Sequence, residues 1–391
     1  MSSSSPPKKK YWSWRSQAFR GLAYQVLAVL TIVGVGWFLV HNTLVNMRMR
    51  GIQSGFDFLT QPAGFDIGES LFAFSSEQPY WRAILVGVSN TLRVAIIGIV
   101  LSTAIGTVIG IGRFSRNILV RGLSHFYVEM FRNIPLLIQL LLWYVVLTEV
   151  LPVSSEAITL SGMFLSKGGL SYPVPVWSFG YYLAGTGVLV GLVAAGFYRH
   201  WARRSFEATG QVRSLFWMSV VIVLLGGLAG WLVGGAPIEL DRPFKGEFSI
   251  ENGAALTPEF LAVLIGLVLY TAAFIAEVVR GGIQSVSRGQ SEAASALGLN
   301  RIQEMRLVML PQAMRVIIPP VTNQYLNLTK NSSLAVAIGY PDVVSVANTA
   351  LNQTGRAVEC ISIVMLVYLT TSLGTSLLMN WYNSRAAIKE R

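Results

Sequence analysis

The sequence contains little charge, almost no cysteine and few histidines. Only 13% of its 391 residues are charged, about half the share of an ordinary soluble domain, whereas 53% are hydrophobic. The single cysteine, Cys360, excludes an internal disulfide framework and a cysteine-based zinc cluster. This composition indicates an integral membrane protein.

The motifs of nucleotide and metal chemistry are also absent from the sequence. No lysine is followed by serine or threonine, which excludes a P-loop. His41, His125 and His200 stand far apart, with no His-x-x-x-His or His-Glu pair. We therefore expect neither an enzyme nor a cofactor in this chain, and if ATP drives the protein, another chain binds it.

Eight apolar runs of about 20 residues, the length that crosses a bilayer, occupy most of the chain. The first is too long for the core of a signal peptide and lacks a small-residue cleavage site, so we predict a retained helix. The segments between the runs contain turn formers and are predicted to be loops rather than domains. The predicted spans are 24–45, 84–111, 123–150, 179–198, 215–235, 258–279, 307–328 and 357–381.

The basic residues predict the orientation of these spans. Lysine and arginine near the span ends number 19 on the side that holds both termini and 8 on the other side. Since cytoplasmic loops carry the excess of positive charge, both termini are expected in the cytoplasm. The net charge of +11 is then explained by topology and anionic lipid, and a nucleic-acid partner is not expected.

The segment 287–298 predicts a short helix outside the membrane. Ser287 and Gln290 form a candidate capping box, and Gly298 is placed for a C-terminal stop. Ala293 and Leu297 share one face at i and i+4, which gives a small apolar ridge. On helix chemistry alone, an ordinary interfacial helix and a ridge for another protein are equally consistent with this pattern.

The spacing of this segment resembles a known signature. Glu292-Ala293-Ala294, three residues, Gly298, nine residues and then 308–311 (Val-Met-Leu-Pro) resemble the EAA motif of permease subunits in ATP-binding-cassette (ABC) importers. The segments 127–139, 276–283 and 330–334 look like the polar amino-acid branch of that family. Additional helices at the N-terminus and between residues 150 and 257 resemble the larger permease of general L-amino-acid importers.

This resemblance implies an all-α integral membrane protein with about eight transmembrane helices. The resemblance further implies a type I ABC importer permease core of five helices plus one N-terminal and two inserted helices. The implied domains are a cytoplasmic basic arm (1–23), an extra helix with a periplasmic loop (24–83), the first part of the core (84–150), an insertion (151–257), the second part of the core with its coupling helix (258–382) and a cytoplasmic tail (383–391).

The implied function is that of a non-enzymatic transport subunit in the bacterial inner membrane, taking up polar or general L-amino acids. Its implied partners are a second permease subunit in a heterodimer, an ABC ATPase dimer that holds ATP and magnesium, and a periplasmic amino-acid-binding protein. The residues implied to couple it to the ATPase are Gly289, Gln290, Glu292, Ala293, Ala294, Leu297 and Gly298.

Charged and polar residues within the spans suggest a substrate pathway. Arg132, Glu277 and Arg315 are expected to face protein or water, because a charge near the bilayer centre costs about 2.5–3.5 kcal/mol. Pro319 and Pro320 are expected to break the seventh span. Buried ion pairs that only gate remain an alternative. The predicted pathway residues are Arg132, Gln139, Glu277, Asn327 and Lys330.

Two other classes of protein compete with this interpretation. An ion-coupled secondary amino-acid transporter predicts two similar halves with interrupted helices at matching positions, but only the seventh span has a double proline. A membrane-embedded enzyme would require a Ser/His, Asp/Asp or His-metal arrangement, and none is found.

Overall fold

The structure is a computed structural model that describes residues 16–49, 51, 54–211, 214–247 and 249–386. Most of the predicted basic arm, residues 1–15, and the tail residues 387–391 lie outside the described residues. The described helices are α1 Gln17–Met49, α2 Tyr80–Gly112, α3 Ile118–Asn133, α4 Leu136–Val145, α5 Phe179–Thr209, α6 Leu215–Val233, α7 Pro258–Gln284, α8 Arg288–Ala296, α9 Arg301–Gln303, α10 Leu310–Asn331, α11 Val343–Thr354 and α12 Ala357–Ala386.

The predicted helical membrane fold is confirmed. Six helices in the described part of the chain are long and apolar enough to cross a membrane: α1, α2, α5, α6, α7 and α12. Two bent pairs raise the number to as many as eight. One pair joins Ile118–Asn133 to Leu136–Val150 and the other joins Arg301–Ile338 to Val343–Thr354. The second pair includes the π-helical turn Glu304–Met309, which connects α9 to α10.

The helix interruptions differ from the prediction at two places. The segment 123–150, predicted as one span, bends by 103° between α3 and α4, where Pro135 precedes the first residue of α4. The break predicted at Pro319 and Pro320 is wrong, since α10 runs through both prolines. Ile317, Ile318 and Val321, which flank the prolines, are buried.

Short strands occupy the connections that were predicted to be loops. They are β1 Ile158–Leu160, β2 Met163–Ser166, β3 Gly169–Tyr172, β4 Val174–Pro175, β5 Leu240–Asp241, β6 Phe244–Lys245, β7 Ile250–Glu251 and β8 Ala254–Leu256. All pairings are antiparallel, in the orders β1-β2-β3-β8, β4-β5 and β6-β7. Strands from before and after the α5–α6 hairpin therefore pair with each other.

The described chain forms two compact units. One comprises the described residues up to Val100 and from Glu277 onward, and the other is Leu101–Ala276. The boundaries of these units fall inside α2 and α7. The six domain ranges predicted from the sequence stay a prediction.

In the second unit, α5 and α6 pack backbone against backbone. A Cβ atom added to Gly187 would lie 2.2 Å from the carbonyl oxygen of Gly226, and one at Gly230 would lie 2.2 Å from that of Leu183. Small residues allow this close approach, which is a common mode of helix association in membranes. Any larger side chain at these glycines would separate the two helices.

In the first unit, the segment between α1 and α2 is fixed to the start of α12. The Arg356 guanidinium donates to Asp57 Oδ1 and Oδ2 at 2.9 and 3.0 Å and to the Gly55 carbonyl at 2.8 Å. This hydrogen-bonded guanidinium lowers the pKa of the Asp57 carboxyl below its usual value. Phe58 is buried nearby with Tyr80, so this connection is held by packing as well as by charge.

Candidate functional site

The predicted coupling helix is present as α8. Ser287 is its N-cap residue, and Gly298 adopts a left-handed φ of +73° after its end, as expected of a stop. The predicted capping box is wrong, because the Ser287 side chain makes no capping bond. The Gln290 side chain instead accepts a hydrogen bond of 3.0 Å from Gln312 Nε2.

One face of α8 is anchored and the other is exposed. Ala294 is buried, and Ser291 Oγ donates to Glu304 Oε1. Glu292, Ala293 and Leu297 are exposed, with Leu297 retaining 80% of its accessible surface. Six of the seven predicted coupling residues are thus available to a partner, whereas Ala294 fixes the helix to the protein. The exposed six are Gly289, Gln290, Glu292, Ala293, Leu297 and Gly298.

The bend between α3 and α4 depends on Gln139. This side chain is 2% exposed, and its Nε2 donates to the carbonyl oxygens of Phe131 at 3.0 Å and Ile134 at 2.8 Å. Helix ends leave carbonyl groups without intrahelical partners, and Pro135 has no N–H to offer them. Gln139 therefore stabilises the end of α3. Its predicted place in a substrate pathway stays a prediction.

We expect Gln139→Leu to lower the free energy of unfolding. The substitution keeps the size of the side chain but removes both donated hydrogen bonds, and each of these part-buried bonds contributes about 0.5–1.5 kcal/mol. Thermal unfolding of the full chain in detergent measures the effect, with Gln61→Leu at an exposed position as the control. Equal midpoints for the two variants would contradict the role given to Gln139.

Arg132 lies in the last turn of α3. Its guanidinium carbon is 5.3 Å from the centre of the Phe274 ring, within the range of a cation–π contact. Tyr127, one turn and a half earlier on α3, donates to the Leu269 carbonyl at 2.7 Å. These contacts attach the end of α3 to α7 within the second unit.

Glu277 has a partner on its own helix that the sequence analysis missed. Arg280 Nε and Nη2 both donate to Glu277 Oε1, the first at 3.1 Å. The two side chains retain 26% and 30% of their exposure. The i, i+3 spacing of opposite charges is a signal that could have predicted this pair.

A polar stripe runs along the exposed face of α10. Its polar members are Arg315, Asn323, Asn327 and Lys330, Pro319 lies between the first two, and all five are exposed. The opposite face, which includes Ala313, Ile317 and Leu328, is buried. Because lipid disfavours charged side chains, a membrane helix with such a stripe presents it to protein or water.

A buried ion pair lies outside the predicted site. Arg93 Nη1 is 2.5 Å from Glu69 Oε1, and the two side chains are 16% and 7% exposed. Asn90 Nδ2 donates to the carbonyls of Glu69 at 2.8 Å and Pro341 at 2.9 Å. No sequence spacing signals this pair, because Glu69 lies in the connection before α2.

Comparison with known proteins gives one family and several relatives. Residues 185–387 match the family described as binding-protein-dependent transport system inner membrane component. The match starts within α5 and continues through α12.

A search of characterised proteins finds relatives along nearly the whole chain. The general L-amino acid transport system permease protein AapQ of Rhizobium johnstonii is 46% identical over 97% of this chain and 96% of its own length. The glutamate/glutamine/aspartate/asparagine transport system permease protein BztB of Rhodobacter capsulatus is 40% identical over 95% of each chain. A crystal structure of an amino acid ABC transporter with histidines aligns with 78% of this chain and 95% of its own, at 19% identity and a TM-score of 0.46.

Proposed function

This chain belongs to the family of binding-protein-dependent transport system inner membrane components, and we propose that it is a permease subunit of an ABC importer for amino acids. Polar or general L-amino acids are the proposed substrates, since the names of its full-length relatives specify such transport. One observation carries the proposal. A multi-pass membrane protein of this family contains helix α8, and the sequence of that helix resembles the EAA motif.

The ATPase is the proposed partner of α8. The exposed ridge of Ala293 and Leu297 supplies a small apolar contact. The hydrogen bond that Ser291 donates to Glu304 and the one that Gln290 accepts from Gln312 hold the helix against the rest of this chain. ATP and magnesium belong to an ATPase dimer in this proposal, since the chain has no P-loop.

A second permease subunit is the proposed neighbour of α10. The exposed stripe from Arg315 to Lys330 suits a path shared between two subunits, because its charges and amides are disfavoured in lipid. An amino acid requires a cation for its carboxylate and an acceptor for its ammonium group. Lys330 is the proposed cation and Glu277 the proposed acceptor, while the place of Arg132 in the pathway stays a prediction from the sequence.

The chain is a multi-pass membrane protein of an inner-membrane family. We place both termini in the cytoplasm because of the unequal distribution of lysine and arginine, so the segments 50–79, 151–178 and 236–257 face a periplasmic amino-acid-binding protein. The alternative of an ion-coupled secondary transporter finds no support in this family membership.

Reconstitution tests the proposed function. The chain is coexpressed with its ATPase and second permease and placed in proteoliposomes, and uptake of radiolabelled amino acids is measured. Uptake that requires internal ATP and the binding protein is expected. Uptake by the chain alone, driven by an ion gradient, would overturn the proposal.

Glu277→Gln is expected to impair uptake more than assembly. The substitution keeps the shape but removes the charge that Arg280 contacts, and the pair is partly exposed, so stability should change little. We expect uptake to fall roughly tenfold, the size of a lost charged contact of about 1.5 kcal/mol. The measurements are initial uptake rate and yield of the complex, with Glu156→Gln at an exposed position as control. Lost assembly with normal uptake by the remaining complex would make Glu277 structural.

A further inference from the structure

The C-terminal end of α5 extends past its partner helix. α5 has 31 residues and α6 has 19, which correspond to about 46 and 28 Å at 1.5 Å per residue. Only the shorter length fits a hydrocarbon core of about 30 Å. Arg199 Nε donates to Ser219 Oγ at 2.9 Å in the first turns of α6, so the part of α5 after Arg199 continues beyond the hairpin.

This projecting end carries a basic arc beside an aromatic edge. At about 100° per residue, Arg199, Arg203, His200 and Arg204 occupy roughly 140° of the helix surface. Phe197 and Trp201 lie next to Arg204 on the same surface, 72% and 51% exposed. Ala202 is buried and lies on the opposite side. We call the four basic residues and the two aromatic residues the α5 patch.

Positive charge exceeds negative charge at this end of α5. Arg199 and Arg203 stand at i and i+4, a spacing at which like charges destabilise a helix. Residues 197–209 contain three arginines and one acidic side chain, Glu207, which stands at i+4 from Arg203 and i+3 from Arg204 and offsets part of their charge. Arg203 and Arg204 are both exposed. A bound anion would offset this repulsion, and guanidinium groups bind phosphate oxygens in a bidentate manner.

We propose that the α5 patch binds the phosphate headgroup of an anionic phospholipid, with the acyl chains against Phe197 and Trp201. We favour a lipid over a free anion because the patch lies at the end of a hairpin whose length matches the hydrocarbon core. A free anion would make no contact with the exposed rings of Phe197 and Trp201. The patch lies on the side predicted to be cytoplasmic, where anionic lipid attracts clustered arginine.

Native mass spectrometry of the full chain in detergent tests this assignment, with dioleoylphosphatidylglycerol and dioleoylphosphatidylcholine as the probes. We expect the first phosphatidylglycerol to bind at least about tenfold more tightly than phosphatidylcholine, since each arginine near a membrane surface contributes on the order of 1 kcal/mol. The double variant Arg203→Gln/Arg204→Gln should lose this preference. Addition of inorganic phosphate should not displace the lipid.

Two further variants keep the test decisive. Arg116→Gln/Arg121→Gln removes two exposed arginines from the same predicted side and should retain the preference, whereas Arg203→Lys/Arg204→Lys keeps the charge and should retain part of it. Size-exclusion chromatography establishes that each variant is folded. An unchanged preference in Arg203→Gln/Arg204→Gln overturns the proposal. Displacement by phosphate or equal loss in the Arg116/Arg121 control overturns it as well, as does copurification of an acidic protein in place of the lipid.

Discussion

An Ala293→Arg substitution is expected to reduce ATP-driven uptake at least about tenfold while leaving the permease folded. Ala293 is exposed on the ridge of α8, so a longer side chain disturbs no internal packing of this chain. In the proposed complex it would separate the ridge from the ATPase surface and place a charge there. A loss of about 1.4 kcal/mol of coupling is sufficient for a tenfold effect. Uptake and the amount of ATPase that copurifies are the measurements.

Ser295→Arg is the matched control for this experiment. Ser295 is also exposed but lies about 160° around the helix from Ala293 at 3.6 residues per turn. Its substitution should leave both quantities close to those of the unmodified protein. Normal ATPase recruitment and uptake in Ala293→Arg would eliminate the ridge as the coupling surface. Equal losses in both variants would show that coupling does not depend on which face of α8 is substituted.

Glu69→Gln is expected to destabilise the first unit by about 3–5 kcal/mol, the cost of leaving one charge of a buried ion pair without its partner. Arg93 is largely enclosed, and Glu69 is its acidic partner in the salt bridge. The double variant Glu69→Met/Arg93→Met should recover most of the lost stability, because it removes both charges. The measurement is the free energy of unfolding of the full chain in detergent.

The control for the buried pair is the exposed pair Glu149–Lys167. Its nitrogen and oxygen are 3.8 Å apart, and its side chains are 70% and 39% exposed. Glu149→Gln should therefore cost less than about 1 kcal/mol. Two results would contradict this prediction: a similar loss of unfolding free energy in Glu149→Gln and Glu69→Gln, or a double variant no more stable than Glu69→Gln. Either would show that burial does not determine how much the Glu69–Arg93 pair contributes to stability.

The sequence was sufficient to predict the helices whose apolar runs reach the length of about 20 residues that crosses a bilayer. It also predicted the bounds of α8: Ser287 is the N-cap residue, although its side chain makes no capping bond, and Gly298 adopts a left-handed φ of +73° after the helix ends. Local chemistry of this kind does not depend on distant parts of the chain, so a single sequence contains the information.

The course of each proline-containing helix could not be predicted in the same way. Pro319 and Pro320 occur within α10 without ending it, whereas the chain bends sharply at Pro135. We attribute the difference to tertiary packing, since Ile317, Ile318 and Val321 are buried beside the prolines of α10, whereas at the bend Gln139 donates to the carbonyls of Phe131 and Ile134. The partner of Arg93 was missed for the same reason, because Glu69 lies 24 residues away in sequence.

The pairing of β4 with β5 has an evolutionary consequence. Val174 lies opposite Asp241 and Pro175 opposite Leu240, and the Cα atoms of such antiparallel partners are about 5 Å apart. Residues 176–239 include the whole α5–α6 hairpin, and the residues that flank this stretch, Pro175 and Leu240, are paired with each other. An ancestral permease could acquire this stretch in a single genetic event without rerouting the flanking chain, and a short turn between residues 175 and 240 is enough to reverse the acquisition.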